Sequence, residues 1–166
     1  MLFRLKAAAH VAVLLDRGLK DVHSVLVPVG GGFHSRLAIR LGYEIARSQG
    51  ARLTALQCYC EACDTEELED RLAHLDDIVV DSLGSMPPHM TIRLAYAPDV
   101  VRGVLEEARR QRYDLIVVGA SEQWVSRMKL FGSITDHIAE ETDCSVLLVR
   151  RHEAAAMSWL RRQVKR

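Results

Sequence analysis

Short apolar runs rich in β-branched residues alternate along this chain with longer stretches whose apolar residues recur every three to four positions. Ser24-Val-Leu-Val-Pro28-Val29 reads as a buried strand, closed by Gly30-Gly31-Gly32. Leu37, Ala38, Leu41, Ile45 and Ala46 follow at helical spacing, and Gly50 supplies the stop. Arg52 to Tyr59 is a second strand. Asp64 followed by Glu67 forms a capping-box signature, and Leu68, Leu72, Leu75, Ile78, Val79 and Leu83 mark one face of the next helix. Pro87-Pro88 ends that helix, and Met90 to Tyr96 gives a third strand. Pro98 opens another helix with Val101, Val104, Leu105 and Ala108 facing inward. Asp114 to Gly119 is a fourth strand, Ser133 to Glu141 a helix, and Val146 to Val149 a fifth strand.

Strictly alternating strands and helices imply an α/β fold, with parallel strands joined by right-handed crossovers and helices on both faces. Such a sheet binds small ligands beyond the carboxyl ends of its strands, where the strand order reverses. The loops that matter are then Gly30 to His34 and Gly119 to Gly132. The 166 residues suit a single core.

Both ends lie outside this unit, so the chain divides into 1–22, 23–151 and 152–166. Leu5, Ala8, Ala12, Leu15, Leu19 and Val22 follow 3-4-3-4-3 spacing, which predicts an amphipathic helix. That helix either packs on its own domain or docks on a partner. Arg150 to Arg166 carries six basic residues and one acidic, giving a basic tail that is solvated or meets an acidic surface. Glu61 to Asp81 holds nine acidic residues against Arg71 alone, an exposed helix face.

Charge and composition narrow the function. Lys plus Arg equals Asp plus Glu at 22 each, and aromatic residues make up 5%, so neither a basic surplus nor stacking platforms point to nucleic acid. The apolar stretch from Ala7 to Leu15 is far short of a membrane span, and Asp16-Arg17 follows it instead of a cleavage site. Four cysteines form no repeating framework, which fits a reducing, cytoplasmic setting.

Asp114-Leu-Ile-Val-Val-Gly119-Ala-Ser-Glu122, then Phe131-Gly132-Ser133-Ile134 and a final strand, resembles the Gly-x2-Gly-x9-Gly-Ser/Thr pattern of the universal stress protein family. Val25-Leu-Val-Pro28-Val29 is similar to the family's opening strand, and the likeness spans about residues 23 to 151. It implies a five-stranded parallel sheet in order 3-2-1-4-5. It also implies ATP or another adenine nucleotide as ligand, held at Gly30, Val118, Gly119, Glu122, Gly132, Ser133 and Ile134. The chemistry is intelligible by itself. Glycines let the backbone approach a phosphate, and Gly132-Ser133 opens a helix whose N–H groups favour an anion.

Two positions depart from the family. Its aspartate after the first strand falls at or beside Gly30, and its second loop glycine is Glu122. A carboxylate about 5 Å from a phosphate charge costs about 3 kcal/mol at an effective dielectric near 20. The loop is therefore degenerate for a triphosphate. Pro28-Val-Gly-Gly-Gly and Gly119-Ala-Ser-Glu122 look like the stress-protein-like domains that act beside membrane transporters, which implies a non-catalytic regulatory role at the cytoplasmic face of a membrane.

Other constellations stay open. Gly30-x-Gly32-x-x-Ser35 nearly matches a dinucleotide fingerprint but lacks the third small residue and the acid on the second strand. Otherwise the glycines make a tight turn and Ser35 caps the helix. Cys58, Cys60 and Cys63 form a core or loop cluster, a redox pair or an incomplete zinc site. His34 is a surface loop residue or a ligand contact, and Ser133 with His137 shares only helical spacing. No nucleophile, base and orienting acid assemble, so no enzyme is expected. Val146 to Val149 would leave an exposed apolar edge, and the resemblance implies a homodimer through that fifth strand.

Overall fold

The computed structural model describes residues 9–120 and 133–152. Its elements are β1 (Val11–Leu15), β2 (Ser24–Pro28), α1 (Phe33–Gln49), β3 (Arg52–Tyr59), α2 (Thr65–Leu83), β4 (Met90–Tyr96), α3 (Val100–Gln111), β5 (Leu115–Gly119), α4 (Ser133–Glu141) and β6 (Ser145–Arg150). They build one six-stranded sheet in the order β1-β6-β5-β2-β3-β4. Strands β2 to β6 are mutually parallel and reproduce the expected 3-2-1-4-5 order.

All five residues of β2 are buried, because a parallel strand in the middle of such a sheet is covered on both faces. Successive side chains alternate between two cores. Val25 and Val27 join Ala38, Ile39, Leu75, Ile78 and Val79 of α1 and α2 on one face. Leu26 joins Ile116, Leu148, Val104 of α3 and Ile138 of α4 on the other. Helix boundaries follow local chemistry. Gly50 ends α1 at φ 64, and Asp64 and Glu67 exchange both bonds of a capping box on α2. For α3 the cap is Asp99, whose side chain accepts the Arg102 N–H, so Pro98 precedes the cap instead of opening the helix.

The N-terminal segment differs from expectation. Residues 11–15 form a strand, not part of an amphipathic helix, and pair antiparallel with β6 from Val11↔Arg150 to Leu15↔Val146. The free edge of β6 offers hydrogen-bond partners to an extended chain that a helix cannot use, and this outweighs the 3-4 spacing. The segment does pack on its own domain, as one of the two readings had it. A consequence is that Val146 to Val149 is not an exposed edge: β1 covers it.

At the amino ends of the strands, Asp114 receives the N–H groups of His23 and Ser24 and the Ser24 hydroxyl, each at 2.9 Å. Burial works against its charged form, but these hydrogen bonds outweigh it and hold the carboxyl below the usual value. A lowered folded-state value contributes stability above the ordinary carboxylate range, and this is lost as pH falls through the folded value. Asp114→Ala is expected to cost about 1 kcal/mol near neutral pH, the group being partly solvated. Urea titrations should show that cost shrinking below about pH 4, where native and variant converge.

Candidate functional site

The strand order reverses at β2, which has β3 on one side and β5 on the other. The β2–β5 ladder pairs only Val25↔Leu115 and Leu26↔Ile116, stopping short of the carboxyl ends. Beyond it stand the two loops singled out by sequence, Gly30 to Gly32 after β2 and Gly119 at the end of β5. This is the place where a doubly wound sheet receives a ligand.

The glycine turn is built from backbone. Gly31 has φ 77, which a residue with a Cβ rarely adopts, and Gly32 is the N-cap of α1 without a side-chain acceptor. Ser35 does not cap the helix as expected. It sits in the first turn of α1, and its hydroxyl accepts the Gly30 N–H at 3.1 Å, folding the turn back on itself. Gly119 is pressed against this same turn: a Cβ there would lie 2.5 Å from the carbonyl carbon of His34 and 2.8 Å from the Ser35 nitrogen. Ser35 thus joins the two loops. Sequence reasoning gave it a different task, and its place five residues after Gly30 was the available signal.

His34 is 8% exposed, so it is not a surface loop residue. It lies in the first turn of α1, and its Nδ1 accepts the Arg151 N–H at 3.1 Å. The Arg151 guanidinium lies over the Phe33 ring, 5.5 Å from its centre. The chain leaving β6 is therefore tied to the glycine turn.

Of the expected nucleotide contacts, Gly30, Val118 and Gly119 stand at the switch point, with Val118 buried in the core. Ser133 begins α4 and Ile134 follows it, largely exposed. Glu122 and Gly132 lie outside the described residues, as does the tail from residue 153. No carboxylate occupies position 30, so the turn offers backbone groups there.

The cysteines divide. Cys58 lies on β3 beneath α3, its Sγ 2.6 Å from where a Gly103 Cβ would be. Burial first, and Cys60 second, push its thiol up to about 11, so it stays protonated and a poor nucleophile. Burial also raises Cys144. Cys60 is exposed, and Cys63 donates to the Glu61 carbonyl. Among the described residues no three His, Cys, Asp or Glu side chains are placed to hold a metal ion. No described helix is long and apolar enough to cross a membrane.

Comparison with known proteins agrees with this geometry. The universal stress protein family matches residues 22–150. The chain belongs to that family. No curated protein matches it. The fold is shared with a universal stress protein solved in complex with cAMP, 18% identical with a TM-score of 0.61 over 78% of this chain and 97% of that one. Universal stress protein UspA from Lactobacillus plantarum is 23% identical, with a TM-score of 0.58 over 79% and 99% of the two chains. A family protein from Arabidopsis thaliana, solved with AMP bound, is 19% identical with a TM-score of 0.56 over 81% and 94%. Within this stress-protein fold, β1 lies just before the matched region, which starts at residue 22.

Proposed function

We propose that this stress-protein domain is a non-catalytic regulator whose switch-point crevice takes an adenine mononucleotide in preference to a triphosphate. The observation that carries this reading is Gly119 of β5 lying against the first turn of α1, just after the glycine turn that follows β2, where the sheet order reverses, with no carboxylate at position 30. The AMP and cAMP complexes of proteins sharing the fold support an adenine ligand. Glu122, at the loop position where the family has glycine, opposes each added phosphate charge. A regulatory rather than catalytic role is supported by Ser35 and His34, both of which accept backbone N–H groups. The regulated partner we propose is a membrane transporter or signalling protein at the cytoplasmic face.

Calorimetric titration of the full chain with AMP, cAMP and Mg-ATP, repeated on Glu122→Gly, tests the ligand. AMP or cAMP should bind the native protein, and Mg-ATP should bind the variant about a hundredfold more tightly than the native chain. Micromolar Mg-ATP binding by the native chain would overturn the mononucleotide preference. Absence of heat with every nucleotide on folded protein would remove the ligand and leave partner binding alone.

A further inference from the structure

The first half of α2 is a helix face without a partner among the described residues. None of the residues from Thr65 to His74 is buried, and the buried positions of this helix begin only at Leu75. Along one side Glu67, Asp70, His74, Asp77 and Asp81 recur at 3-4-3-4 spacing, which lines them up as a single stripe. All five are exposed. Of the four carboxylates, Asp81 alone meets a described cation, Arg36 in the first turn of α1, at 3.3 Å. The stripe therefore starts beside α1 and runs up the exposed half of α2 with its other charges unmatched.

The chain leaving β6 is delivered to the foot of this stripe. It is pinned there twice, the Arg151 N–H donating to His34 Nδ1 at 3.1 Å and the His152 N–H to His10 Nδ1 at 3.0 Å. The Arg151 guanidinium lies over the Phe33 ring. Phe33 precedes Arg36 by one helical turn, so the two share a side of α1, the side on which Arg36 meets α2. Beyond His152 the sequence reads Glu153-Ala-Ala-Ala-Met-Ser-Trp-Leu160, poor in charge, and then Arg161-Arg-Gln-Val-Lys-Arg166, rich in cations. From Asp81 to Asp70 the stripe rises about 16 Å. The stretch from His152 to Arg161 spans at most about 30 Å extended and about 14 Å as a helix, so its cations reach Asp77 and Asp70.

We propose that residues 153–166 fold back within the same chain onto the exposed half of α2, setting Arg161, Arg162, Lys165 and Arg166 against Glu67, Asp70 and Asp77. A single exposed ion pair contributes little, but a tethered segment has an effective concentration on the order of millimolar, so several weak contacts suffice to seat it. While seated, the basic segment is withheld from any other acidic surface. The docking does not depend on whether the crevice holds a nucleotide.

Amide hydrogen exchange on the full chain tests this with a charge swap. The tail reversal Arg161→Glu/Arg162→Glu should speed exchange of the amides from Thr65 to His74 roughly tenfold, and the stripe reversal Asp70→Lys/Asp77→Lys should do the same. Combining the two reversals should restore native rates, which independent surface effects would not do. The buried β2 amides should exchange alike in all four proteins. Unchanged exchange in α2 after the tail reversal would overturn the proposal, and so would a combined variant as fast as the tail reversal alone. Dilution from about 100 to about 5 μM should leave native rates as they are; faster exchange on dilution would put the tail of a second copy on the stripe and overturn docking within one chain. Should the stripe reversal disturb the helix, the tail reversal carries the decision, because it alters no residue of α2.

Discussion

Gly119→Ala is expected to destabilise the protein by about 3 kcal/mol or more and to abolish any binding at the crevice. The new Cβ would stand 2.5 Å from the His34 carbonyl carbon, 2.6 Å from its oxygen and 2.8 Å from the Ser35 nitrogen. These are backbone atoms in the first turn of α1, so no flexible side chain can swing aside. The turn must shift as a body, and with it the Ser35 hydroxyl that accepts the Gly30 N–H. Gly32→Ala is the control. A Cβ there meets nothing within 4 Å and its φ is −82, so a loss of at most about 1 kcal/mol is expected, from the weaker N-cap. Urea unfolding of the two variants measures the contrast. Equal stabilities would mean that β5 and α1 do not touch as described.

Glu107→Ala should be the second severe change, at about 3 kcal/mol. The Glu107 side chain is 2% exposed, on the face of α3 that packs on the sheet. One carboxylate oxygen lies 3.3 Å from the Arg93 Nε and accepts the Tyr113 hydroxyl; the other pairs with Arg110. Deletion leaves a cavity, strips the Tyr113 hydroxyl of an acceptor and leaves the part-buried Arg93 without its counter-charge. Arg110 is well exposed and loses little to water. Because a buried ion pair gains little over apolar packing, Glu107→Leu combined with Arg93→Leu should recover most of the loss. Thermal melts of the single and double variants decide this. A double variant as unstable as Glu107→Ala would show that the charges themselves stabilise the fold.

These two sites differ in how visible they were along the chain. Gly119 was singled out because its spacing to Gly132 and Ser133 resembles a family motif, although its contact with His34 and Ser35 crosses about 85 residues and no local pattern encodes it. Glu107 left no mark at all. In an exposed position the same residue would look like one more charge on a polar helix face, and its meeting with Arg93 on β4 and the Tyr113 hydroxyl gives it a role. His34 and Ser35 follow the same rule. Their types were noticed, but their partners, Arg151 and Gly30, depend on how α1 returns to the sheet. Because three cysteines lie within six residues, the sequence left core or loop residues, a redox pair and an incomplete zinc site all open. Strand geometry sends Cys58 under α3, as a core cysteine, and leaves Cys60 exposed beyond the strand.

By itself the sequence determined the five parallel strands and the four helices, which follow from local apolar period and from Asp64, Glu67 and Gly50 at helix ends. The order of those strands came from the resemblance to the universal stress protein family, and the structure reproduces it. It also singled out the loops after β2 and β5, since glycines and strand ends mark a switch point without coordinates. Tertiary structure alone decided the state of Val11 to Leu15. Five residues whose spacing also suits a helix have no strong preference of their own, and the unpaired backbone of β6 settles them as a strand. Local periodicity reports which side of an element is apolar. Which edge is vacant, and what closes it, is known only once the sheet has formed.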